Sequence, residues 1–274
     1  MRLFGTFFAA VFGLILGSFF NVLIHRLPHG ESIVWPGSRC PHCGRSIRWY
    51  ENIPVVSYFI LCGKCAGCGL KISLQYPLVE LGTAVLTALL WQTEWIPFLA
   101  ESHVFWEWIA PLLRTASLLV LVPVAVIDLK HYIIPDTITL SGLVVSILAS
   151  LAPGGISPLQ AGLGVVAGGG FLLLTGLIGE WLLRRQDAMG GGDIKLMAFL
   201  GAVWGPTAAF LGIVLGSLLG AVIGLGLLAF KALRDDHRLP FGPFLACGVW
   251  IAALSGDRIL SFYFTLTEQL LQHI

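Results

Sequence analysis

The stretch Leu118-Leu-Val-Leu-Val-Pro-Val-Ala-Val-Ile127 is an uninterrupted apolar run that leads directly into the acid Asp128. A helix needs about 20 mostly apolar residues to cross a membrane, and residues 112–128 supply one such segment. The whole chain has the same character, since 57% of its 274 residues are hydrophobic and only 11% are charged. Soluble domains carry about 25% charged residues. The sequence therefore predicts an all-α polytopic membrane protein.

About eight stretches have the apolar character of transmembrane helices. They divide the chain into a first helix, 1–25, a small cytoplasmic insert, 26–75, and a membrane core, 76–274. The first stretch has a single basic residue before it and no small-residue cleavage site, so we interpret it as a retained helix rather than a removed signal peptide. The predicted spans are 3–25, 76–93, 112–128, 136–152, 160–183, 194–206, 207–230 and 243–262.

Glycine is abundant in the predicted fifth and seventh spans. Small residues four apart let helix backbones approach closely in lipid. A dinucleotide-binding loop would need a preceding strand and a βαβ unit, which a bilayer span cannot contain. We therefore predict that these glycines serve helix packing. They are Gly162, Gly164, Gly168, Gly169, Gly170, Gly212, Gly216 and Gly220.

The orientation follows from the positive charges, because Lys and Arg near span ends stay on the cytoplasmic side. With the N-terminus outside, 13 of the 16 Lys and Arg residues fall in cytoplasmic segments, and the C-terminus also lies outside. The net charge of +1 gives no indication of a nucleic-acid surface. The basic residues assigned to the cytoplasm are Arg26, Arg39, Arg45, Arg48, Lys64, Lys71, Lys130, Arg184, Arg185, Lys195, Lys231, Arg234 and Arg238.

The insert contains two Cys-x-x-Cys pairs, one formed by Cys40 and Cys43 and the other by Cys65 and Cys68. Two such turns present four thiolates, which is typical of a structural zinc site with no open coordination position. Two disulfides are the alternative, and the reducing cytoplasm argues against them. A small insert that buries little apolar surface would depend on the metal for folding.

The register of the second pair is open, because Cys62 also forms a Cys-x-x-Cys with Cys65. The later pair is preferred because Gly69 then follows it as Gly44 follows the first. His42 lies inside the first pair and is a further possible ligand.

Asp128 and Asp193 are the candidate catalytic residues, because acids at the ends of membrane spans are costly and mark functional sites. Two predicted spans separate them, so both carboxylates are expected at the cytoplasmic membrane boundary. Two carboxyl groups there suit an aspartic peptidase, in which one activates water and the other protonates the substrate. Gly190-Gly-Gly192 before Asp193 would let an extended substrate approach the backbone closely.

Structural roles are the alternatives for these acids. Asp128 could pair with Lys130, and Asp193 could cap a helix and pair with Lys195. Asp136 is expected to cap the fourth span. Glu80, just inside the second span, is a buried acid that needs a partner, for which Arg26 or a basic residue of the insert is the expectation.

The sequence resembles the prepilin peptidases, which are leader peptidases and N-methyltransferases of the GxGD group of membrane aspartic proteases. Several motifs carry the resemblance, and they occur in the order that the family shows. Leu239-Pro-Phe-Gly-Pro243 extends it toward the last span. The motifs are residues 17–28, the two cysteine pairs, 52–57, 76–80, 128–136 and 190–195.

The resemblance implies cleavage of type IV prepilins and type II secretion pseudopilins after the glycine that closes a short basic leader. It also implies transfer of a methyl group from S-adenosylmethionine to the new N-terminus, in a bacterial inner-membrane protein with its site at the cytoplasmic face. Carried onto this sequence, Asp128 and Asp193 are the peptidase residues, and the four cysteines bind Zn²⁺. Cys62 departs from the family pattern, where arginine is commoner. No pocket for the methyl donor can be identified from the sequence.

Two other functions compete. A GxGD peptidase that acts on general transmembrane peptides would have no need of the cysteine insert. A transporter with Asp128 and Asp193 as ion sites would be expected to hold its acids near the bilayer midplane, often within inverted repeats. Neither feature is present in the sequence.

Overall fold

The computed structural model of the chain describes residues 2–101, 103–152, 155–184, 189–230 and 239–272. Within these residues the regular structure is helical, and extended pairing is limited to two isolated antiparallel bridges in the insert. The all-α prediction is confirmed. The charge assignments of Arg185, Lys231, Arg234 and Arg238 lie outside the described residues, as does part of the predicted connection at 153–159.

Ten α-helices occur in the described residues. A π-helical turn, Trp91–Trp95, joins α3 to α4, and a second, Val166–Gly170, joins α7 to α8. The helices are α1 Arg2–Arg26, α2 Val56–Ile60, α3 Gln75–Leu90, α4 Ile96–Leu99, α5 Ile109–His131, α6 Asp136–Ala149, α7 Pro158–Val165, α8 Phe171–Leu183, α9 Gly191–Ala229 and α10 Gly242–Gln272.

Five helical runs among the described residues are long and apolar enough to cross a membrane. The predicted count of eight spans is therefore not confirmed. The predicted fourth span corresponds to α6, which has 14 residues and is shorter than a straight span needs. The predicted second span lies in the continuous helical run 75–99 that α3 forms with the π-helical turn and α4, which is not among the five. The five runs are Arg2–His29, Phe105–His131, Pro158–Leu182, Gly191–Ala229 and Gly242–Leu271.

Helix α9 is a single run of 39 residues with a break inside it. Gly205 has φ 80° and ψ 176°, which is not helical, and Pro206 follows it. Proline has no N–H to donate to the preceding turn, so the helical hydrogen bonding is interrupted here. The predicted boundary between the sixth and seventh spans, at 206–207, falls at this break.

The chain forms two compact units. The first unit, Met1–Val104 with Leu119–Pro135, contains α1, α3, the insert and the end of α5. Within it, α1 packs closely on α3: a Cβ added to Gly13 would lie 2.6 Å from Ala84 Cα, and one on Gly17 would lie 2.5 Å from Glu80 Cα. Small residues thus bring these two helices together, as they do in lipid.

Buried polar groups also tie α1 to the beginning of α3. The side-chain amide of Asn21 donates to the carbonyl of Tyr76 at 3.1 Å and to that of Gly17 at 3.2 Å. Gln75 Nε2 donates to Asn21 Oδ1 at 3.3 Å. These bonds fix the end of α1 against the segment where the chain leaves the insert and α3 begins. The charges predict that this end of α1 is cytoplasmic.

The second unit, Phe105–Leu118 with Asp136–Ile274, is built around α9. α9 packs against α6, α7, the π-helical turn after it and α10. Gly164 meets the carbonyl of Gly201, and Gly168 meets that of Met197, with no room for a Cβ at either glycine. The predicted role of glycines in packing is confirmed at these positions, whereas Gly162 has open space beside it.

Candidate active site and metal centre

Asp128 belongs to the first unit and lies in the last turn of α5, which ends at His131. Val124 and Ile127, from the apolar run before it, are fully buried, and Asp128 itself is 6% exposed. Its carbonyl accepts a hydrogen bond from the Tyr132 N–H at 2.9 Å. The carboxylate is thus set at the end of a buried helix.

Asp193 belongs to the second unit and lies in the first turn of α9. Gly190 holds the N-cap position, and its carbonyl accepts from the N–H groups of Asp193 at 3.1 Å and Ile194 at 3.3 Å. Asp193 is therefore inside the helix. The alternative in which it caps the helix is wrong. Asp193 is 8% exposed.

Gly190 and Gly191 differ in what surrounds them. A Cβ built on Gly190 would lie 2.5 Å from Asp193 Oδ2, whereas one on Gly191 would meet nothing within 4 Å. The backbone of Gly190 has φ −64° and ψ 122°, which any residue can adopt. Any larger side chain at position 190 would therefore require the Asp193 carboxylate to move. Gly192, the other glycine predicted to support the site, is the second residue of α9.

Lys195, one turn of chain beyond Gly191, binds Asp136 rather than Asp193. Its ammonium lies 2.8 Å from both carboxylate oxygens of Asp136. Asp136 begins α6, as the sequence predicted, so this ion pair joins the beginnings of α6 and α9 within the second unit. The alternative in which Lys195 pairs with Asp193 is not found, because Asp136 on another helix lies in reach of the Lys195 side chain.

Glu80 is 7% exposed on α3 and accepts a hydrogen bond from the Val55 N–H at 2.7 Å. Val55 has φ 62° and ψ −49°, and the Val56 N–H donates to the Pro54 carbonyl at 2.6 Å across it. This is a γ-turn with positive φ, a strained conformation for a β-branched residue. The expected partner Arg26 is not the one found, because the guanidinium of Arg26 is directed to the insert.

Arg26 and Arg45 hold the insert together. Arg26 donates to the carbonyls of Ser32 at 2.8 Å and Pro36 at 2.6 Å. Arg45 lies 2.8 Å from Glu51, which also accepts from the Arg48 N–H at 3.0 Å. The Arg48 N–H, followed by the Arg45 guanidinium, lowers the pKa of Glu51. Both arginines therefore fix loop segments that have little apolar core.

The two cysteine turns have the same backbone geometry. The Gly44 N–H donates to the Cys40 carbonyl at 3.0 Å, and the Gly69 N–H donates to the Cys65 carbonyl at 2.8 Å. Both glycines have positive φ, 69° and 72°, which favours glycine. One antiparallel bridge closes each turn, Arg39 with Ser46 and Lys64 with Lys71.

The four predicted cysteines come together at the facing turns. The thiols of Cys40, Cys43, Cys65 and Cys68 all lie within 4.8 Å of one another. Cys62 and His42 are not part of this cluster, so the preferred register is the one that the structure has. All four cysteines are free thiols, and their mutual spacing suits a tetrahedral zinc ion.

The thiols of the cluster influence one another's ionisation. The N–H of Cys68, then that of Gly67, lowers the pKa of Cys65 to about 6. Although the Leu70 N–H lowers it, burial and the neighbouring thiols raise the pKa of Cys68 to about 11. Four thiolates this close need a cation, and a bound Zn²⁺ would supply it. The donor set therefore fits the metal that the sequence predicted.

A cavity of about 1000 Å³ within the first unit was not predicted from the sequence. It lies between the insert, the end of α5, and the ends of α1 and α3 that are predicted to be cytoplasmic. Neither Asp128 nor Asp193 lines it. Four histidines line it, His25, His29, His42 and His131, and they come from the end of α1, the insert and the end of α5.

Comparison with known proteins gives consistent matches along the chain. Residues 11–93 match the family described as "Bacterial Peptidase A24 N-terminal domain", and residues 115–225 match the "Type IV leader peptidase family". No solved structure gives a significant match.

Three curated relatives share the name "Prepilin leader peptidase/N-methyltransferase". The one from Aeromonas hydrophila is 39% identical over 93% of this chain and 92% of its own length. Those from Pseudomonas aeruginosa and Dichelobacter nodosus are 37% and 36% identical, over 92% and 93% of this chain and 90% and 93% of their own lengths.

Proposed function

The chain belongs to the type IV leader peptidase family, and from that premise we propose that it removes the leader of prepilins and methylates the new N-terminus. The substrates are type IV prepilins and type II secretion pseudopilins, cut after the glycine that closes a short basic leader. The methyl donor is S-adenosylmethionine. The relatives' shared name and their match over nearly the full length of the chain support both activities.

Asp128 and Asp193 perform the peptidase reaction in this proposal. One carboxylate takes a proton from water, whose oxygen attacks the carbonyl carbon at the cleavage site. The other carboxyl group gives its proton to the substrate, and the amine leaves when the carbon–nitrogen bond breaks. The burial of both aspartates supports this assignment, because a buried acid in an apolar chain is retained for a function.

The observation that carries the assignment is the fit between Gly190 and Asp193. The absence of a side chain at position 190 leaves the space that the Asp193 oxygen takes. The carboxylate is held against an accessible backbone segment, since Gly190 is exposed, and an extended peptide could approach it there.

Zinc has a structural role in this proposal. Cys40, Cys43, Cys65 and Cys68 would hold it, and their four thiolates leave no position for water or substrate. The ion would replace the apolar core that the insert lacks. Its loss should therefore unfold the insert.

The catalytic face is cytoplasmic and both termini lie outside, in an inner-membrane protein embedded in lipid. The excess of Lys and Arg on the proposed cytoplasmic side supports this orientation. Cys62 offers a test, because it is exposed in the insert and stands apart from the thiol cluster. In a Cys247→Ser background, a membrane-impermeant maleimide should label Cys62 in inverted vesicles and not in intact spheroplasts.

The function is tested by incubating detergent-solubilised enzyme with a prepilin and labelled S-adenosylmethionine. Cleavage is scored by the size of the pilin, and methylation by label on its N-terminus. Both should occur at stoichiometric yield. A protein that cuts without labelling would lose the methyltransferase half of the proposal, and one that does neither would lose all of it.

A further inference from the structure

We propose that helix α2 and the second cysteine turn, residues 63–72, dock the insert on the membrane, with the anionic phospholipids of the adjoining leaflet as their partner. In the proposed orientation this is the cytoplasmic leaflet. The apolar part of the contact is one face of α2, and the charged part is the pair Lys64 and Lys71. The docking surface goes beyond the proposed function and involves neither of the two aspartates.

Helix α2 has two different faces. Phe59 and Ile60 are 70% and 73% exposed, and Val56 is exposed beside them, since positions three and four apart share one side of a helix. The opposite face is held by the protein, because Ser57 is buried and its hydroxyl donates to the Tyr50 carbonyl at 2.8 Å. A cluster of exposed large apolar side chains marks a surface for a membrane or for another molecule.

The depth of α2 follows from its hydrogen bond to α3. Val55, the residue before α2, donates its N–H to Glu80 at 2.7 Å. Glu80 is the sixth residue of α3, about 8 Å along its axis, and the sequence predicts a membrane span from residue 76.

Helix α1 gives the same depth for Glu80. A Cβ added to Gly17 would lie 2.5 Å from Glu80 Cα, and Gly17 is well inside α1, which ends at Arg26 and belongs to a run apolar enough to cross a membrane. Helix α2 therefore begins beside the first turns of membrane helices. An interfacial helix buries its apolar face at that level, among the headgroups and the first acyl carbons.

The apolar surface of α2 continues along the chain into α3. The Gly63 N–H donates to the Tyr58 carbonyl at 2.8 Å, and the Gly63 carbonyl accepts from the Ile72 N–H at 2.7 Å. The segment that enters α3 is thus bound to the end of α2. From there, exposed apolar residues follow one side of α3 at helical spacing, as expected of a side that faces lipid. They are Leu74, Leu78, Leu81, Val85 and Leu89.

Two lysines face each other across the second cysteine turn. The antiparallel bridge of Lys64 with Lys71 lies between two backbone hydrogen bonds of 2.8 and 2.7 Å, which is the pairing that brings Cα atoms to about 4.5 Å. Like charges directly opposite each other destabilise such a pair. The matching bridge of the first cysteine turn joins Arg39 to Ser46 and has no such repulsion. An anion bound by both ammonium groups would replace the repulsion with attraction.

The phosphate of a lipid headgroup is the anion that the position of the pair favours. Both lysines are exposed, and Lys64 is not part of the cavity wall. Lys71 lies four residues before Gln75, where α3 begins, and four residues of chain span at most about 14 Å. Ammonium groups bind phosphate as point charges, and basic residues beside an anionic leaflet are attracted to it. The apolar face and the two cations together match a phospholipid surface.

Fluorescence quenching in a bilayer tests the apolar contact. Phe59→Cys in the full chain, in a Cys62→Ser and Cys247→Ser background, is labelled with nitrobenzoxadiazole and reconstituted at one chain per nanodisc. A lipid nitroxide about 5–10 Å below the headgroup boundary, the depth of an interfacial helix, should quench this label. Iodide should quench it at least about threefold less than it quenches a label on Cys62 in the Cys247→Ser chain, because Cys62 is exposed and lies outside α2. The background chain without Phe59→Cys measures label on the zinc cysteines.

Equal quenching of the two labels by iodide would show that α2 faces water and would overturn the proposal. Protection from iodide without quenching by the lipid nitroxide would assign the face of α2 to a protein contact, and would overturn it as well.

Thermal unfolding in nanodiscs of defined lipid tests the charged contact. Phosphatidylglycerol should raise the melting temperature of the unmodified chain above its value in phosphatidylcholine, and Lys64→Gln should lose about 2–4 °C of that rise. In phosphatidylcholine, Lys64→Gln should melt no lower than the unmodified chain, because the repulsion across the bridge is gone. Arg39→Gln removes the same charge from the matching bridge and should keep the full rise.

A full rise in Lys64→Gln, or an equal loss in Arg39→Gln, would overturn the contact between the lysine pair and the headgroups. The same rise produced by inorganic phosphate in phosphatidylcholine discs would assign the pair to an anion from solution and overturn it too. Neither measurement uses cleavage or methylation, so these failures are distinguishable from a failure of the proposed function.

Discussion

Lys195 Nζ lies 2.8 Å from both carboxylate oxygens of Asp136, so the cation two residues after Asp193 is committed to another helix. The pair joins the first turn of α9 to the first turn of α6. Both side chains are partly exposed, at 41% and 55%, where solvent reduces the strength of an ion pair to about 1 kcal/mol or less. The pair matters because it holds the beginning of α9, which carries Asp193, against the beginning of α6.

The first prediction concerns that pair. Lys195→Met and Asp136→Asn should each lower prepilin cleavage, because the helix start that carries Asp193 becomes less fixed; we expect about tenfold, as small misplacement of a catalytic group is costly. The exchanged pair, Lys195→Asp with Asp136→Lys, should recover part of the loss. Turnover at saturating prepilin is the measurement. If the exchange variant is no better than either single variant, the ion pair does not position the helix.

The second prediction compares two adjacent glycines. Gly190→Ala should lower cleavage at least about tenfold, because its Cβ would displace the Asp193 carboxylate. Gly191→Ala should cut at nearly the normal rate, because open space surrounds that position. The rate of leader removal by the purified variants, at matched melting temperature, is the measurement. Equal rates for the two variants would contradict the claim that a side chain at position 190 displaces the Asp193 carboxylate.

The third prediction concerns the metal. Cys43→Ser should lower the zinc content of the purified protein from one ion per chain to nearly none, since three thiolates hold the ion poorly. Cys62→Ser is the control and should keep its zinc, because Cys62 is outside the thiol cluster. Atomic emission after purification without chelators is the measurement. Zinc loss in the Cys62 variant with retention in the Cys43 variant would reverse the assignment.

The fourth prediction concerns Glu80 and the γ-turn at Val55. Glu80→Ala leaves the Val55 N–H without its acceptor and should reduce the free energy of unfolding by about 1–3 kcal/mol. Glu80→Gln keeps an amide oxygen as acceptor and should lose less. Val55→Gly in the Glu80→Ala background should recover stability, because glycine adopts positive φ without strain. Thermal unfolding followed by the exposed tryptophans of the insert provides the comparison, and equal melting of all variants would dismiss the contact as stabilising.

The cysteine site could be predicted because its signal is local. Each pair sits within a turn of four residues, and Gly44 and Gly69 follow at the same distance. The positive φ of both glycines explains why that offset indicated the correct register. The apolar spans and the buried ends at Asp128 and Asp193 were also visible, because hydropathy depends on composition over a short window.

The partners of the charged residues could not be predicted. Glu80 binds a backbone N–H of the insert rather than Arg26, and Lys195 binds Asp136 rather than Asp193. Both bonds join residues far apart in the sequence, and charge alone does not say which groups the fold brings together. The cavity was missed for the same reason, since its wall combines α1, the insert, the start of α3 and the end of α5.

The predicted number of spans is not confirmed among the described residues. A window of apolar residues marked α6 as a full span, yet this helix has 14 residues. The predicted boundary between two spans, at 206–207, agrees with the break in α9 at Gly205. Hydropathy locates apolar sequence, whereas helix ends depend on glycine, proline and π-helical turns at particular residues.

The central claim is that Asp128 and Asp193 perform the cleavage. The most direct measurement is the rate of leader removal by purified Asp128→Asn and Asp193→Asn, with zinc content and melting temperature determined on the same samples. Asparagine keeps the size of the side chain and cannot exchange the proton, so each variant should cut at least about 1,000-fold more slowly while remaining folded and zinc-loaded. Cleavage by either folded variant at near the normal rate would contradict the claim.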